Sequence, residues 1–596
     1  MYFNIVEEKD MTSLFVLSVT IFLISTIVAI AHNRLFKNKA GIKPIYILIA
    51  GIFLSIFSIL LYVDFKPETN GFRSTGLIAL FHSIQIMLLG YDFEFIQTKI
   101  TMATVPYSDL LFAYIALLFV LGPIYTFGFV LSFFENISAN IKCFLKRNCD
   151  IYVLSDLNIK TLPLAKSIRQ KDKSALIIFT NVFSNLNEQE YDFLEDAKSI
   201  NAITFKKDIC DFKFPFHSKN SKITFFIIAD DESLNLDISL NIIDKFNNRE
   251  KTELYVFSTS NEGELLLDSV DDGSMKVRRI NENRSFAYSM IYNHPITEQY
   301  TTQGEDKIIS TLIVGFGGYG TEITKSLLWC GQLPGYYTEI NIIDKNSLTE
   351  AQFTAECPEI MKLNNNKEVG EARYSLNFYS GIDITTNEFI ETISRLRNTS
   401  IIYVSLGNDE LNIETAIKLR IHFERIGLFP VIRAIVYSDI KHKMLSERSL
   451  RNFKYDDYKI EIIGNISSRF SYDAIVNEEL ESLALKFHLA WSNTPDEIQA
   501  ATKQFNEYEY FRSSSIATAI HDKYRKLENI PSETAAIYEH MRWNAYMRTE
   551  GYVFSGSCEK STRNDRAKMH NNMHRFGLLN DDDINKDTRI TELAQK

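Results

Sequence analysis

Apolar positions run almost unbroken through residues 11–31, 44–63 and 109–134, each about the length needed to cross a bilayer. The runs are too long, and followed by too much further apolar sequence, for a cleaved signal peptide. Between the second and third lies 76–90, apolar but only about 15 residues long and so short for a crossing. From Cys149 the pattern changes. Apolar runs of strand length at 150–154, 175–180, 202–206, 223–229, 254–258 and 276–280 alternate with helical patterns, which predicts a doubly wound α/β domain with a parallel sheet. A second α/β pattern starts with the strand 311–314, a glycine turn, a helix and a strand ending in Asp344, and continues with strands at 399–406 and 429–437. Near the C-terminus, 508–526 reads as a helix. Residues 532–551 read as an amphipathic helix, with Ser532 as its N-cap and Gly551 as its stop.

The pattern therefore predicts a multi-domain chain. An α-helical membrane domain (1–147) precedes two α/β Rossmann-like domains (148–300 and 301–500) and a small α-helical C-terminal domain (501–596). The join around Arg278, Arg279, Asn293, His294 and Pro295 lacks a Gly/Ser or Pro-rich stretch, so the two α/β domains are expected to be docked rather than tethered.

Charge sets the topology of the first quarter. Arg34, Lys37, Lys39 and Lys43 follow the first run, and Lys142, Lys146 and Arg147 follow the third. Both basic segments lie inside only if 76–90 enters and leaves the membrane on one face. Three spans, a re-entrant helix, an outer N-terminus and cytoplasmic C-terminal domains satisfy that condition. A re-entrant helix is tolerated where protein or water surrounds it, as in a pore loop. Gly90, Tyr91, Asp92 and Glu94 are then candidate pore residues, the two acids forming a cation-attracting ring in an oligomer. The plainer alternative is a half-buried packing helix in a non-conducting anchor.

The glycine turn is Gly315-Phe316-Gly317-Gly318-Tyr319-Gly320. In such a turn one glycine permits the bend, one lets a pyrophosphate approach the backbone, and one lets helix pack on strand. The helix N-terminus attracts phosphate. Asp344 stands where an acid hydrogen-bonds a ribose. Asn408 and Asp409 follow a strand's carboxyl end and are candidate nucleobase or ribose contacts, or else a helix cap. In the first α/β domain the equivalent turn, Ser155-Asp156-Leu157-Asn158, has no glycine. Ser155 and Asn158 suit a cap and Asp156 repels phosphate, so that domain reads as structural.

Composition narrows the classes. The net charge of −11 on 596 residues argues against a broad nucleic-acid surface. Six scattered cysteines form no CxxC pair and no Cys/His cluster, which supports neither zinc nor a disulfide framework. No P-loop, HExxH, GxSxG or Cys/His nucleophile pattern occurs. No proton donor beside a nicotinamide announces itself. The chain is therefore expected not to be an enzyme.

Two resemblances extend this reading. The short helix followed by Leu89-Gly90-Tyr91-Asp92-Phe93-Glu94 resembles the pore module of potassium-channel-like proteins, with GYD in place of a TVGYG filter. That module followed by two docked Rossmann units resembles the potassium-channel regulatory (RCK, or TrkA-N-type) architecture over roughly 11–490. Tyr538-Glu539-His540-Met541-Arg542-Trp543-Asn544, then Glu550-Gly551-Tyr552 and Lys568, His570 and His574, resemble the ryanodine-receptor repeat (RyR) domain of bacterial proteins. The resemblances imply a ligand-gated cation channel of a bacterial inner membrane, homotetrameric, whose cytoplasmic domains sense a nucleotide (NAD, ATP/ADP or a cyclic nucleotide). A non-conducting nucleotide-sensing effector, for instance in antiphage defence, and a membrane-anchored NAD-dependent oxidoreductase are the alternatives. In the RyR-like helix Glu539, Arg542 and Trp543 share a face at i, i+3, i+4. Arg542 suits a phosphate and Trp543 a stacked ring; alternatively a buried Glu–Arg pair holds the indole in a small core.

Overall fold

The computed structural model describes residues 2–35, 44–63, 72–88, 90, 94, 97–98, 107–145, 148–182, 188–211, 221–229, 231–365, 372–449, 459–476, 478–490, 492 and 494–593. The chain forms two compact units, Met1–Leu145 and Lys146–Lys596.

The first unit is helical: Tyr2–Leu35, Pro44–Val63, Phe72–Met87 and Ser108–Leu145. Its core is apolar, with Ile52, Ile56, Leu60, Ile115 and Leu118 buried together, and unlike a soluble bundle its exterior is apolar too. Ser18, Ser55 and Ser83 are buried, whereas Ile27, Leu77, Leu110 and Ile124 are each at least 60% exposed. Small residues bring the first two helices together. Ser18 Oγ donates to the Ser55 carbonyl at 2.8 Å and Ser55 Oγ to the Ser18 carbonyl at 3.1 Å. A Cβ at Gly51 would lie 2.0 Å from Ser25 Oγ. Small-residue seams with interhelical hydroxyl bonds are how helices associate in lipid, where apolar burial drives nothing.

Two helices among the described residues are long and apolar enough to cross a membrane, Thr12–Ala31 and Ser108–Phe127. These are the first and third expected spans. The second expected span forms the 20-residue helix Pro44–Val63, but its apolar stretch, Tyr46–Leu61, falls below spanning length. The short helix is Phe72–Met87, 16 residues, which at 1.5 Å per residue is about 24 Å against about 30 Å of hydrocarbon. Gly90 and Glu94 are exposed beyond it. Tyr91 and Asp92 lie outside the described residues.

Among the described residues the second unit holds two large sheets, one of six parallel strands and one of seven, six of them parallel. In the first, Ile151–Leu154, Leu176–Phe179, Ile203–Thr204, Ile223–Ile227, Thr252–Phe257 and Lys276–Ile280 lie in the order 3-2-1-4-5-6. All six are the strands expected. In the second, Asp306–Val314, Tyr336–Asp344, Tyr374–Ser380, Ile401–Val404, Val431–Ile435 and Ile460–Ile463 repeat that order, with Thr301–Gln303 antiparallel on the first. The strands are apolar on both faces because helices cover both faces of a parallel sheet. This order places a crevice at the carboxyl edge between the first and fourth strands.

The two sheets trade helices. Glu282–Asn293, which follows the last strand of the first sheet, buries Phe286, Ala287, Tyr288, Met290 and Ile291 in the core of the second. Ile466–Arg469 and Tyr472–Val476, which follow the last strand of the second sheet, put Phe470, Tyr472 and Ile475 into the core of the first. The successive Arg278 and Arg279 point to opposite faces of their strand. Arg278 forks onto Glu481 at 2.7–2.8 Å, and Arg279 onto Glu509 at 2.6 Å. The C-terminal helices Glu509–Leu527 and Ser532–Thr549 add Tyr524 and Tyr546 to the core that holds Trp329. Pro531, not Ser532, occupies the N-cap of the latter helix.

Candidate functional sites

At the carboxyl edge of the second sheet the glycines of the turn have separate reasons. Gly315 has φ +94°, and a Cβ there would sit 2.6 Å from the Ser405 carbonyl. At Gly320 a Cβ would lie 2.2 Å from the Gly315 carbonyl, so this glycine lets the helix Gly318–Cys330 sit on its own turn. A Cβ on Gly318 would meet the Asn283 amide at 2.4 Å. Gly317 differs. Its φ is −75°, a Cβ would meet nothing within 4 Å, and it is exposed at the N-cap of a helix whose first turn holds no acid. The fold makes no demand for glycine there. Glycine is among the residues favoured at an N-cap, and its lack of a side chain also leaves the backbone there open to close approach.

Asp344 reaches this turn. Its Oδ2 accepts the Phe316 N–H at 2.6 Å and its Oδ1 the Asn346 N–H at 2.7 Å, which leaves each oxygen a further lone pair. Asn408 caps the helix Asp409–Arg425 through the Leu411 N–H. Asp409 accepts from the N–H groups of Tyr437 and Ser438 at 2.8 and 3.0 Å. Both side chains are thus engaged within the protein at the edge of the crevice.

Sequence reasoning missed the cage beside the turn. Tyr319 donates to Glu282 at 2.8 Å, Lys160 meets the other Glu282 oxygen at 3.1 Å, and Arg469 contacts both Glu282 and the Tyr319 hydroxyl. The Arg469 guanidinium lies 4.8 Å from the Tyr319 ring and 4.9 Å from the Tyr437 ring. Burial would raise the Glu282 carboxyl, but Arg469 and Lys160 outweigh it and hold the pKa low. Only Tyr319 stood inside a recognisable motif; no local pattern marked Arg469, whose partners are far away in sequence. The turn of the first sheet is closed by its own side chains. Asn158 accepts the N–H groups of Lys160 and Thr161, and Ser155 accepts that of Ile228.

The second candidate site is a cavity of about 260 Å³ in the C-terminal helical region, lined by Arg542, Trp543, His540, His570, Tyr510 and Phe511 among others. Glu539 and Arg542 are each 1% exposed. Glu539 Oε1 accepts from Arg542 Nε and Nη2 at 3.0 and 2.9 Å, and Oε2 accepts from Arg525 Nη1 at 2.7 Å. Burial would raise this carboxyl, but Arg542 and Arg525 hold it far below the carboxylate range. The buried Glu–Arg pair is therefore present. It uses two of the guanidinium nitrogens and leaves Arg542 Nη1 without a partner.

Trp543 is half-buried, stacked on His540 (centroids 5.7 Å apart) and edge-on to His570 (5.0 Å). His540 Nε2 donates to the His574 carbonyl at 2.9 Å, while its Nδ1 lies 3.2 Å from Asp587. One proton serves that last contact, and burial pushes the Asp587 carboxyl up. Desolvation lowers His570 to about 4. Arg525 and Asp587, which complete these networks, sit outside the Glu-His-x-Arg-Trp segment and carried no sequence signal.

No protein-family model matches the chain, and no curated protein matches it. Among the described residues no cluster of His, Cys, Asp and Glu is placed to hold a metal ion.

Proposed function

We propose that the chain is a ligand-gated membrane protein, a cation channel, whose cytoplasmic α/β and C-terminal regions sense a nucleotide and which performs no catalysis. The observation that carries this reading is the apolar exterior of the first unit, with serines bonded across a small-residue helix seam. Such a surface in water would be an aggregation liability; in lipid it is the ordinary solution. A multi-pass placement in a bacterial inner membrane, with Phe72–Met87 as a re-entrant helix, belongs to the same proposal.

The nucleotide enters through the second sheet. Gly317 is open to a phosphate, the helix N-terminus behind it carries no competing acid, and Asp344 retains lone pairs for a ribose hydroxyl. The proposed ligand is NAD, ATP/ADP or a cyclic nucleotide. The ligand moves the gate only by binding one arrangement of the coupled sheets better than another. The test is cation flux from liposomes holding the purified chain, with each nucleotide added in turn. Flux that rises with one nucleotide and is lost in Gly317→Val supports the reading. Silent liposomes with confirmed nucleotide occupancy replace the channel by a non-conducting sensor.

A further inference from the structure

Three successive residues of the traded helix Glu282–Asn293 grip the start of the glycine helix Gly318–Cys330. Glu282 accepts from the Tyr319 hydroxyl at 2.8 Å, and Arg284 Nε lies 3.4 Å from Glu322. Between them Asn283 lies against Gly318: a Cβ on that glycine would sit 2.4 Å from Asn283 Nδ2 and 3.2 Å from its Oδ1. The two flanking side chains are tied down elsewhere as well. Glu282 also meets Lys160 and Arg469, and Arg284 Nη2 donates to both Glu550 oxygens at 3.1 Å. Asn283 differs from both. It is partly exposed, and its amide has no hydrogen-bond partner among the described residues.

Packing against a glycine needs only a small side chain, and an amide that bonds nothing in the fold gains no stability from its polarity. What stands beside this amide is the start of a helix. Gly317 is the N-cap, and no side chain caps the helix. Its first N–H groups are therefore open donors, where an oxyanion is favoured. The Gly318 nitrogen is one bond from the Cα that Asn283 abuts, so Nδ2 stands beside the donor that a phosphate takes. The acid next to Asn283 does not oppose an anion there, because Glu282 is met by Lys160 at 3.1 Å and by Arg469.

We propose that Asn283 is a ligand-contacting residue of the glycine crevice: its amide donates to a non-bridging oxygen of the phosphate held on the Gly318 and Tyr319 N–H groups. This contact rests on the nucleotide reading of the crevice and adds a residue that lies outside the turn. Asn283 is carried by the first sheet, just after the strand Lys276–Ile280 and the helix cap Asn281. A bound phosphate therefore bonds to both sheets at once. It favours the arrangement that keeps Asn283 against Gly318, which is the differential affinity a ligand needs to shift coupled domains.

The contact is tested in the full chain, purified in detergent, by calorimetric titration of adenosine 5′-diphosphate, NAD and 3′,5′-cyclic AMP, with the tightest binder of the three as probe. Asn283→Ala removes the donor and is expected to weaken the probe about tenfold. Asn283→Asp puts a carboxylate where the phosphate lies and is expected to weaken it at least about tenfold further. The same aspartate stands in the first turn of its own helix, where the macrodipole favours an acid, so its melting temperature is expected to be no lower than that of the wild type. Affinity and stability then move apart, which a packing role for residue 283 does not produce. Gly317→Val separates the contact from the crevice. Probe binding that is lost in Gly317→Val but unchanged in Asn283→Ala and Asn283→Asp overturns the contact and leaves the crevice standing. Affinity that falls only in step with the melting temperature overturns the contact too. Probe binding that survives Gly317→Val, or no binding of any of the three up to about 1 mM, overturns the crevice and the contact with it.

Discussion

At Gly317 a side chain would meet nothing, and three residues away at Gly320 it would meet the backbone. The two positions therefore separate folding from binding. Gly317→Val is expected to melt with the wild type and lose adenine nucleotide at the crevice. Gly320→Val places a branched Cβ against the Gly315 carbonyl and is expected to fail to fold. Circular dichroism melts and nucleotide titration read both; full nucleotide binding by a folded Gly317→Val chain would rule the crevice out. Spacing alone announced the turn and Asp344, because strand, glycines, helix and acid are contiguous in sequence. It did not tell which glycine the backbone needs and which stands free. That distinction depends on Ser405 and Asn283, brought in from elsewhere.

Ionisation acts at the same scale. Burial lowers His488 and His570 to about 4 from an ordinary 6.5. The unfolded chain therefore binds more protons between those values, and stability rises with pH across that window. It is complete above about 6.5 and falls as pH drops toward 4, each histidine costing about 2 kcal/mol by pH 5. Glu539, held low by its arginines, adds to the loss in stronger acid. A melting temperature that is flat from pH 7 to 5 would show these rings to be solvated. Removing the carboxylate with Glu539→Ala leaves Arg542 buried without its acid, while Arg525 keeps Asp522 at 3.2 Å; a loss of roughly 3–5 kcal/mol is expected from denaturant unfolding of the C-terminal region.

At the scale of elements, the traded helices bind the two sheets into one unit. Periodicity found the six strands of the first sheet, since each is a short apolar run between turn residues. It missed Tyr374–Ser380 and Ile460–Ile463 in the second. The former is polar along part of its length, YSLNFYS, and the latter is a four-residue edge strand with an exposed Glu461. Nor could local pattern show that Glu282–Asn293 packs under the sheet that follows it. A fragment cut at residue 301 loses Phe286, Tyr288 and Ile291, each worth roughly 1.5–3 kcal/mol when buried. A fragment from 281 keeps them, with Asn281 as the helix cap. The longer fragment is expected to be the more soluble, and to release less signal from a dye for exposed apolar surface. Equal behaviour of the two would mean that the traded helix contributes little to the second core.

At the scale of the whole molecule, a single copy offers one short helix, Phe72–Met87, and one following segment, which cannot ring an ion. Symmetric closure supplies the ring, and a cyclic homotetramer is the arrangement the proposal requires. The proposed channel takes its cation preference from Asp92 and Glu94 contributed by each copy. The topology is the part most open to direct attack. If Phe72–Met87 is re-entrant, cysteines placed at positions 70 and 98 are labelled from the same, outer side by a membrane-impermeant maleimide. If it crosses, they are labelled from opposite sides, Lys142 and Lys146 move outward, and the pore reading ends. Given same-side labelling, Asp92→Asn is expected to lower cation flux or its preference over anions without changing nucleotide binding, because the ring and the crevice lie in separate compact units. A conductance that is indifferent to Asp92→Asn, in a protein whose mass in detergent is that of a tetramer, would move the filter away from residues 90–94.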